Sequence, residues 1–316
     1  MLFNQEVEFI FNDSNLEDML YEYYKPLFLY LSKNTGIEAF NTETFKYSKE
    51  ESFLEKDCIL LAKHKNLLFI DKISSKISKL LIFDILTSKC VYEKEFNDEI
   101  TCFTIHQNRY YIGLHSGIIK CFNFYHQHLF DLKIKCQHLG EKIIVQDNKI
   151  FVTAAFYDNF FQIYELETLK LLKEIVPECD KGKILGVRGN NLFIMDDDIK
   201  IYDIHNNYEL KSFDAGDCTS MVLDEYLVTG YDDGTIIIWN PDTLMKIKSL
   251  QLNTRVIVNV IIKNDRLYCN SINSRDLNIK VSFGDMRHDI NIVNWVTGET
   301  IYTFTVDNFR SDLLLN

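Results

Sequence analysis

The sequence predicts an all-β protein, a seven-bladed β-propeller with four-stranded antiparallel blades, because one short motif recurs at a spacing of about forty residues along the 316-residue chain. Two further observations agree with it. Each copy of the motif is preceded by two short β-rich runs and followed by one, and helical periodicity is nearly absent.

The motif is an alternating apolar strand ending in a large residue, then Asp, Asn or Glu, then two variable positions and usually Thr. The large residues stand at Phe40, Phe83, Phe122, Tyr164, Tyr202, Trp239 and Val293. Successive spacings are 43, 39, 42, 38, 37 and 54 residues, the last carrying an insertion over 274–289. A blade of four strands takes about 40 to 45 residues, and a ring of such blades hides most strand edges. In the sixth copy the runs Thr219–Leu223, Tyr226–Tyr231, Thr235–Trp239 and Leu244–Leu252 supply the four strands, with Gly, Asn or Asp at the breaks.

The domain organisation follows from these anchors. Residues 1–18 form an N-terminal extension with a candidate ring-closing strand at 6–13, residues 19–306 the propeller, and residues 307–316 a C-terminal tail. Both 6–13 and 300–306 fall in the register of an outer strand. One of them is expected to close the ring while the other lies beside it or peels away.

The sixth copy, Thr229-Gly230-Tyr231-Asp232-Asp233-Gly234-Thr235-Ile236-Ile237-Ile238-Trp239-Asn240, resembles the WD-repeat family. The resemblance implies a buried hydrogen-bonded set made by a turn Asp, a strand Ser or Thr, the Trp and an upstream His. Carried over by position, the turn Asp is Asp158, Asp196 and Asp233; the Trp is retained only as Trp239, and the Gly-His pair that opens family repeats is not seen. Aromatic anchors in the other copies can wedge between blades by apolar packing.

Composition narrows the function. With 34 basic and 46 acidic residues the formal charge is −12, which opposes phosphate backbones and anionic lipid; no nucleic acid is expected as a partner. No apolar run reaches the roughly 20 residues that span a bilayer, and no basic region opens the chain, so membrane insertion and secretion are not expected. Eight scattered cysteines without a Cys-x-x-Cys pair fit reduced thiols in the cytoplasm.

Catalytic, cofactor and metal motifs are not found. His126, His128, Cys136 and His138 are ligand types, but an intervening strand would hold His128 and Cys136 about 26 Å apart. Gly113-Leu114-His115-Ser116-Gly117 lacks the spacing of a nucleophile elbow, and Gly182, Gly186 and Gly189 are not followed by Gly-Lys-Ser/Thr.

Acid instead accumulates in loops that a propeller gathers on one face. Asp158, Asp196, Asp197, Asp198, Asp232 and Asp233 lie in turns, and Glu178, Asp180, Asp214 and Asp217 between blades. Asp158, Asp196, Asp233 and Trp239 are structural candidates. Asp180, Asp197, Asp198, Asp214, Asp217 and Asp232, bordered by Phe156, Tyr157, Phe160 and Tyr231, are candidate contacts for a basic segment of a protein partner. Arg275 and Arg287 in the insertion, with a lysine-rich turn at 71–79, are expected to make the other side of this face basic. The function expected is a non-enzymatic scaffold or adaptor, alone or within a larger complex. The alternative is a hydrolase-like enzyme with its site in the central pocket, which requires ionisable groups to converge at the inner-strand ends.

Overall fold

A computed structural model describes residues 28–33, 36–41, 44–53, 58–74, 77–87, 89–135, 139–154, 160–176, 183–195, 199–206, 209–216, 218–252, 257–263, 265–272, 288–306 and 314–315. The chain begins with β1 (Phe28–Lys33), β2 (Gly36–Asn41) and β3 (Lys46–Phe53). Next come β4 (Cys58–His64), β5 (Leu67–Ser74), β6 (Ile77–Asp84) and β7 (Lys89–Phe96), then β8 (Ile100–His106), β9 (Arg109–Leu114), β10 (Ile118–Asn123) and β11 (His128–Lys133). They are followed by β12 (Leu139–Gln146), β13 (Lys149–Ala154), β14 (Phe161–Glu165) and β15 (Leu171–Ile175), then β16 (Lys183–Arg188), β17 (Asn191–Met195), β18 (Ile199–Asp203) and β19 (Glu209–Phe213). The last full sets are β20 (Cys218–Leu223), β21 (Leu227–Tyr231), β22 (Thr235–Trp239) and β23 (Lys246–Gln251), and β24 (Ile257–Lys263), β25 (Arg266–Ile272), β26 (His288–Asn294) and β27 (Thr300–Val306). The last strand is β28 (Leu314–Leu315).

These strands make an all-β propeller of four-stranded antiparallel blades. Among the described residues six blades are complete runs of four consecutive strands, from β4–β7 to β24–β27, where seven anchors predict seven such runs. The first anchor belongs to a composite sheet of order β28-β1-β2-β3, in which Leu29 and Tyr30 pair with Leu315 and Leu314. The expected assignment of the termini changes accordingly: 300–306 is the outer strand of its own blade, residues 314–315 of the supposed tail are the added strand, and 6–13 lies outside the described residues. Two leucines separated from the last repeat carry no periodicity, so the spacing could not reveal them. Among the described residues no helix is long and apolar enough to cross a membrane.

The blades pack face to face around an axis lined by their first strands. Apolar clusters cross each joint: Phe69, Leu80 and Ile82 of one blade meet Tyr110, Ile112 and Phe122 of the next, and Val228, Ile236 and Ile238 meet Ile257, Val260 and Ile262. Burying such side chains stabilises by about 1.5–3 kcal/mol each, which lets apolar packing hold most joints without a polar tetrad. At the two ends of the chain Phe45 stacks on Tyr302 with 4.6 Å between ring centroids, bringing the last blade against the composite sheet.

The repeated Asp or Asn has a local cause. Asp84, Asn123, Asp203, Asn240 and Asn294 each accept two backbone N–H groups of the following turn through one side-chain oxygen. Glu165, with a longer side chain, instead accepts the Thr168 hydroxyl, which itself accepts the Lys170 N–H. The preceding anchor sits at a register shift in five blades, as between Ile238 and Trp239, so the bulge turns the strand where the large side chain enters the joint. Asn240→Ala is expected to lose about 1 kcal/mol of stability, because both turn N–H groups lose their acceptor, while Asn240→Asp keeps it; denaturant midpoints of the two variants check this.

Candidate functional site

The turns between second and third strands and the loops joining blades share one face of the ring. Of the acidic loops expected there, the structure describes those around β20–β22. Asp180, Asp197, Asp198, Asp217, Phe156, Tyr157, Arg275 and Arg287 lie outside the described residues, as do the structural candidates Asp158 and Asp196. Asp214 follows β19 and Asp232 follows β21, and both are exposed.

Tyr231 joins these two loops. Its hydroxyl donates to the carbonyl of Ala215 at 2.5 Å and accepts the Thr229 hydroxyl at 3.1 Å. Thr229 in turn accepts Trp239 Nε1–H at 2.9 Å. A single directional chain therefore runs from the indole through Thr229 and Tyr231 to a backbone carbonyl of the loop that enters the blade. Burial raises the Tyr231 pKa above its ordinary value, and the neighbouring Asp214 and Asp233 carboxylates add to the rise. Those two acids are thus electrostatic neighbours of one ring. Asp214 also fixes its own loop by accepting the Gly216 N–H at 2.8 Å, at a glycine with φ of +72°.

Trp239 and the strand threonine Thr229 are bonded to each other, but Asp233 does not join them. It is exposed and accepts the backbone N–H of Thr235 at 2.8 Å, closing the turn between β21 and β22. The Tyr231 hydroxyl stands next in the chain after Thr229. Tyr231, expected only as an exposed border, is half-buried and serves as a brace for the surface that Asp214 and Asp232 present.

The expected lysine-rich turn at 71–79 is mostly strand. β5 continues to Ser74 and β6 starts at Ile77; Asp71 and Ser78 are buried, and Lys79 is bound to Glu93 at 3.0 Å. Polar residues that point inward, Asp71 and Ser78, interrupt the apolar alternation by which these strand ends would be legible in the sequence. The basic counterpart expected from this segment is correspondingly reduced.

Histidines of the His126-x-His128 pair have separate partners. His126 stacks on Tyr92 at 4.2 Å and lies 3.3 Å from the Tyr110 hydroxyl, whereas His128 Nε2 is 2.7 Å from Asp131. Among the described residues no group of three or more His, Cys, Asp or Glu is placed to hold a metal. A cleft of about 750 Å³ lies off the axis, lined by Lys94, Phe96, Asp98, Leu114, Lys120 and Phe122. Its lysines are engaged: Lys94 sits 4.8 Å over the Phe122 ring and Lys120 binds Asp131 at 2.8 Å.

Two contacts that the sequence did not signal fasten adjacent blades on the opposite face and in the core. Arg188, at the end of β16, makes a bidentate pair with Asp242 of the next blade at 3.2 Å and donates to the carbonyls of Asp224 and Glu225. Ile100 N–H, in the first strand of its blade, donates to Ser78 Oγ at 2.9 Å, and Ser78 donates to the buried Asp71 carboxyl at 3.0 Å.

No protein-family model and no curated protein matches the chain. Among solved structures, it is similar to the crystal structure of the computationally designed Ika8 protein. The TM-score is 0.66 and the identity 16%, over 91% of this chain and 87% of that one. At this identity the likeness speaks for the fold alone. The chain has a β-propeller fold.

Proposed function

We propose that the protein is a degenerate WD-repeat propeller that acts as a non-enzymatic scaffold in the cytoplasm, binding a basic segment of a protein partner on its acidic loop face. The composite sheet β28-β1-β2-β3 serves as the seventh blade in this reading, with the C-terminal leucines completing the ring. What supports the binding surface is the placement of exposed Asp214 and Asp232 on two loops that the Tyr231 hydroxyl ties together. Loops tied together in this way lose little conformational entropy when a cationic segment arrives. Asp197, Asp198, Asp180 and Asp217 would extend the same field, with Arg275 and Arg287 orienting the partner from across the face.

Exposed ion pairs contribute about 0.2–1 kcal/mol each, so several must act together. Binding of a fluorescent lysine- and arginine-rich peptide is therefore expected to weaken at least tenfold when Asp197, Asp198, Asp214 and Asp232 are all changed to Lys. Raising the salt from about 50 to about 300 mM should weaken the native complex too. Unchanged anisotropy titrations of the quadruple variant at low salt would refute the assignment of this face.

A further inference from the structure

The face opposite the acidic loops carries a local basic surface at the joint between the β4–β7 and β8–β11 blades. Lys65 in the β4–β5 turn and Lys89 at the start of β7 are exposed there, and Arg109 at the start of β9, also exposed on this face, lies beyond them beside Tyr111, toward the joint with the β12–β15 blade. Asp84 is the carboxylate among the described turn residues of these two blades on this side, and its Oδ1 is occupied by the Leu86 and Thr87 N–H groups. Between the cations lies an aromatic floor. His64 stacks on Phe124 at 4.8 Å and Tyr92 on His126 at 4.2 Å, both across the joint. Tyr125, between Phe124 and His126 in the same turn, is 86% exposed. A cationic, aromatic surface of this kind is the reverse of the molecule's net charge of −12 and fits an acidic segment with aromatic side chains.

The chain itself contains such a segment. Residues 1–27 hold Glu6, Glu8, Asp13, Glu17, Asp18 and Glu22 against Lys25, together with Phe3, Phe9, Phe11, Tyr21, Tyr23 and Tyr24. The register fixes where this segment joins the ring. Phe28 pairs with Asn41, which follows the first anchor as Asp84 and Asn123 follow theirs, so residue 28 lies on the same face as the basic surface. The strands β1 and β2 adjoin β4, so that surface begins one blade away. A chain advances up to about 3.3 Å per residue, so a handful of residues cross one blade and the segment 1–27 has ample reach.

We propose that residues 1–27 are the ligand of the Lys65–Lys89–Arg109 surface, bound in cis. The test replaces Tyr125 by p-benzoylphenylalanine in the full chain, irradiates dilute protein and maps the cross-links by mass spectrometry. Intramolecular links into residues 1–27 are expected. They should fall at least fivefold in the variant K65E/K89E/R109E and return when Glu6, Glu8, Glu17, Asp18 and Glu22 of that variant are changed to Lys. The return guards against mistaking a folding defect for lost binding. Links confined to the blades, links to a second copy or to added acidic peptide in preference to residues 1–27, or links indifferent to the charge reversals would overturn the proposal.

Discussion

Gly230→Ala is expected to cost about 3 kcal/mol of stability, far more than a methyl group costs on an exposed strand. A Cβ at this position would stand 2.5 Å from Ile257 Cγ2, 2.7 Å from Ile257 Cβ and 2.5 Å from Ser220 Oγ. The Ile257 β-carbon cannot swing aside, because it is bonded directly to the backbone of the neighbouring blade's first strand. That strand is held in turn by Thr219 Oγ1 donating to the Ile257 carbonyl at 2.7 Å. Relief therefore requires two blades to separate. Gly189→Ala is the matched comparison: φ is +53°, yet nothing lies within 4 Å, so only the left-handed backbone is penalised, by about 1 kcal/mol. Urea midpoints should rank the two in this order. Equal losses would mean that the β20–β23 and β24–β27 blades yield at their joint without penalty.

Why this glycine escapes a reading of the sequence, while the repeat does not, follows from the range of the forces involved. The anchors are legible because the Asx turn, the bulge and the large side chain are all built within a few residues, so most copies repeat them. The position of Gly230 is also a repeated one: it pairs with the residue three before the anchor. In the other blades that place is filled by Asp71, Gly113, Thr153, Met195 and Asn270, paired with Leu80, Ile119, Phe161, Ile199 and Ile290. At Gly113 and Gly230 a Cβ would meet the adjacent blade's first strand, at Leu139 and Ile257, and that strand differs from joint to joint, so no residue common to all the copies results. The candidate site divides the same way. Exposure of Asp214 and Asp232 follows from turn chemistry, whereas the inward aim of the Tyr231 hydroxyl depends on a carbonyl sixteen residues earlier on another loop. A two-residue C-terminal strand in place of a longer terminal one is invisible for a related reason, since two leucines have no period.

Asp71 makes stability depend on pH in the direction opposite to that of most carboxylates. Its side chain is 2% exposed in the midst of the β5–β6 core; one oxygen accepts the Ser78 hydroxyl, and Oδ1 has no hydrogen-bond partner among the described residues. Burial, reinforced by the negative Glu99 and opposed by the Ser78 hydrogen bond and the Lys79 backbone, pushes its pKa up to about 7 from 3.8. The charge that acts on it is that of Glu99 from the next blade; Lys79 on β6 contributes its backbone, its side chain being held by Glu93. Because the folded state holds this proton more tightly than the unfolded chain, its contribution is complete below pH 3.8 and is lost as pH rises through about 7. The difference across that window is about 4 kcal/mol at most, by the equivalence of one pKa unit to about 1.36 kcal/mol. Asp71→Asn keeps the shape and can accept the Ser78 hydroxyl without ever ionising. The variant is expected to be more stable than the native chain at pH 8, by roughly 1–3 kcal/mol, and to show a urea midpoint that changes less between about pH 5 and pH 8. Asp71→Leu supplies the contrast, since the Ser78 hydroxyl loses its acceptor and the Ile100 N–H to Ser78 link loses its support. If the native chain and the Asp71→Asn variant traced parallel pH profiles, the carboxyl would not be the group that weakens this joint, and the Ser78 bridge would stand as a plain structural contact.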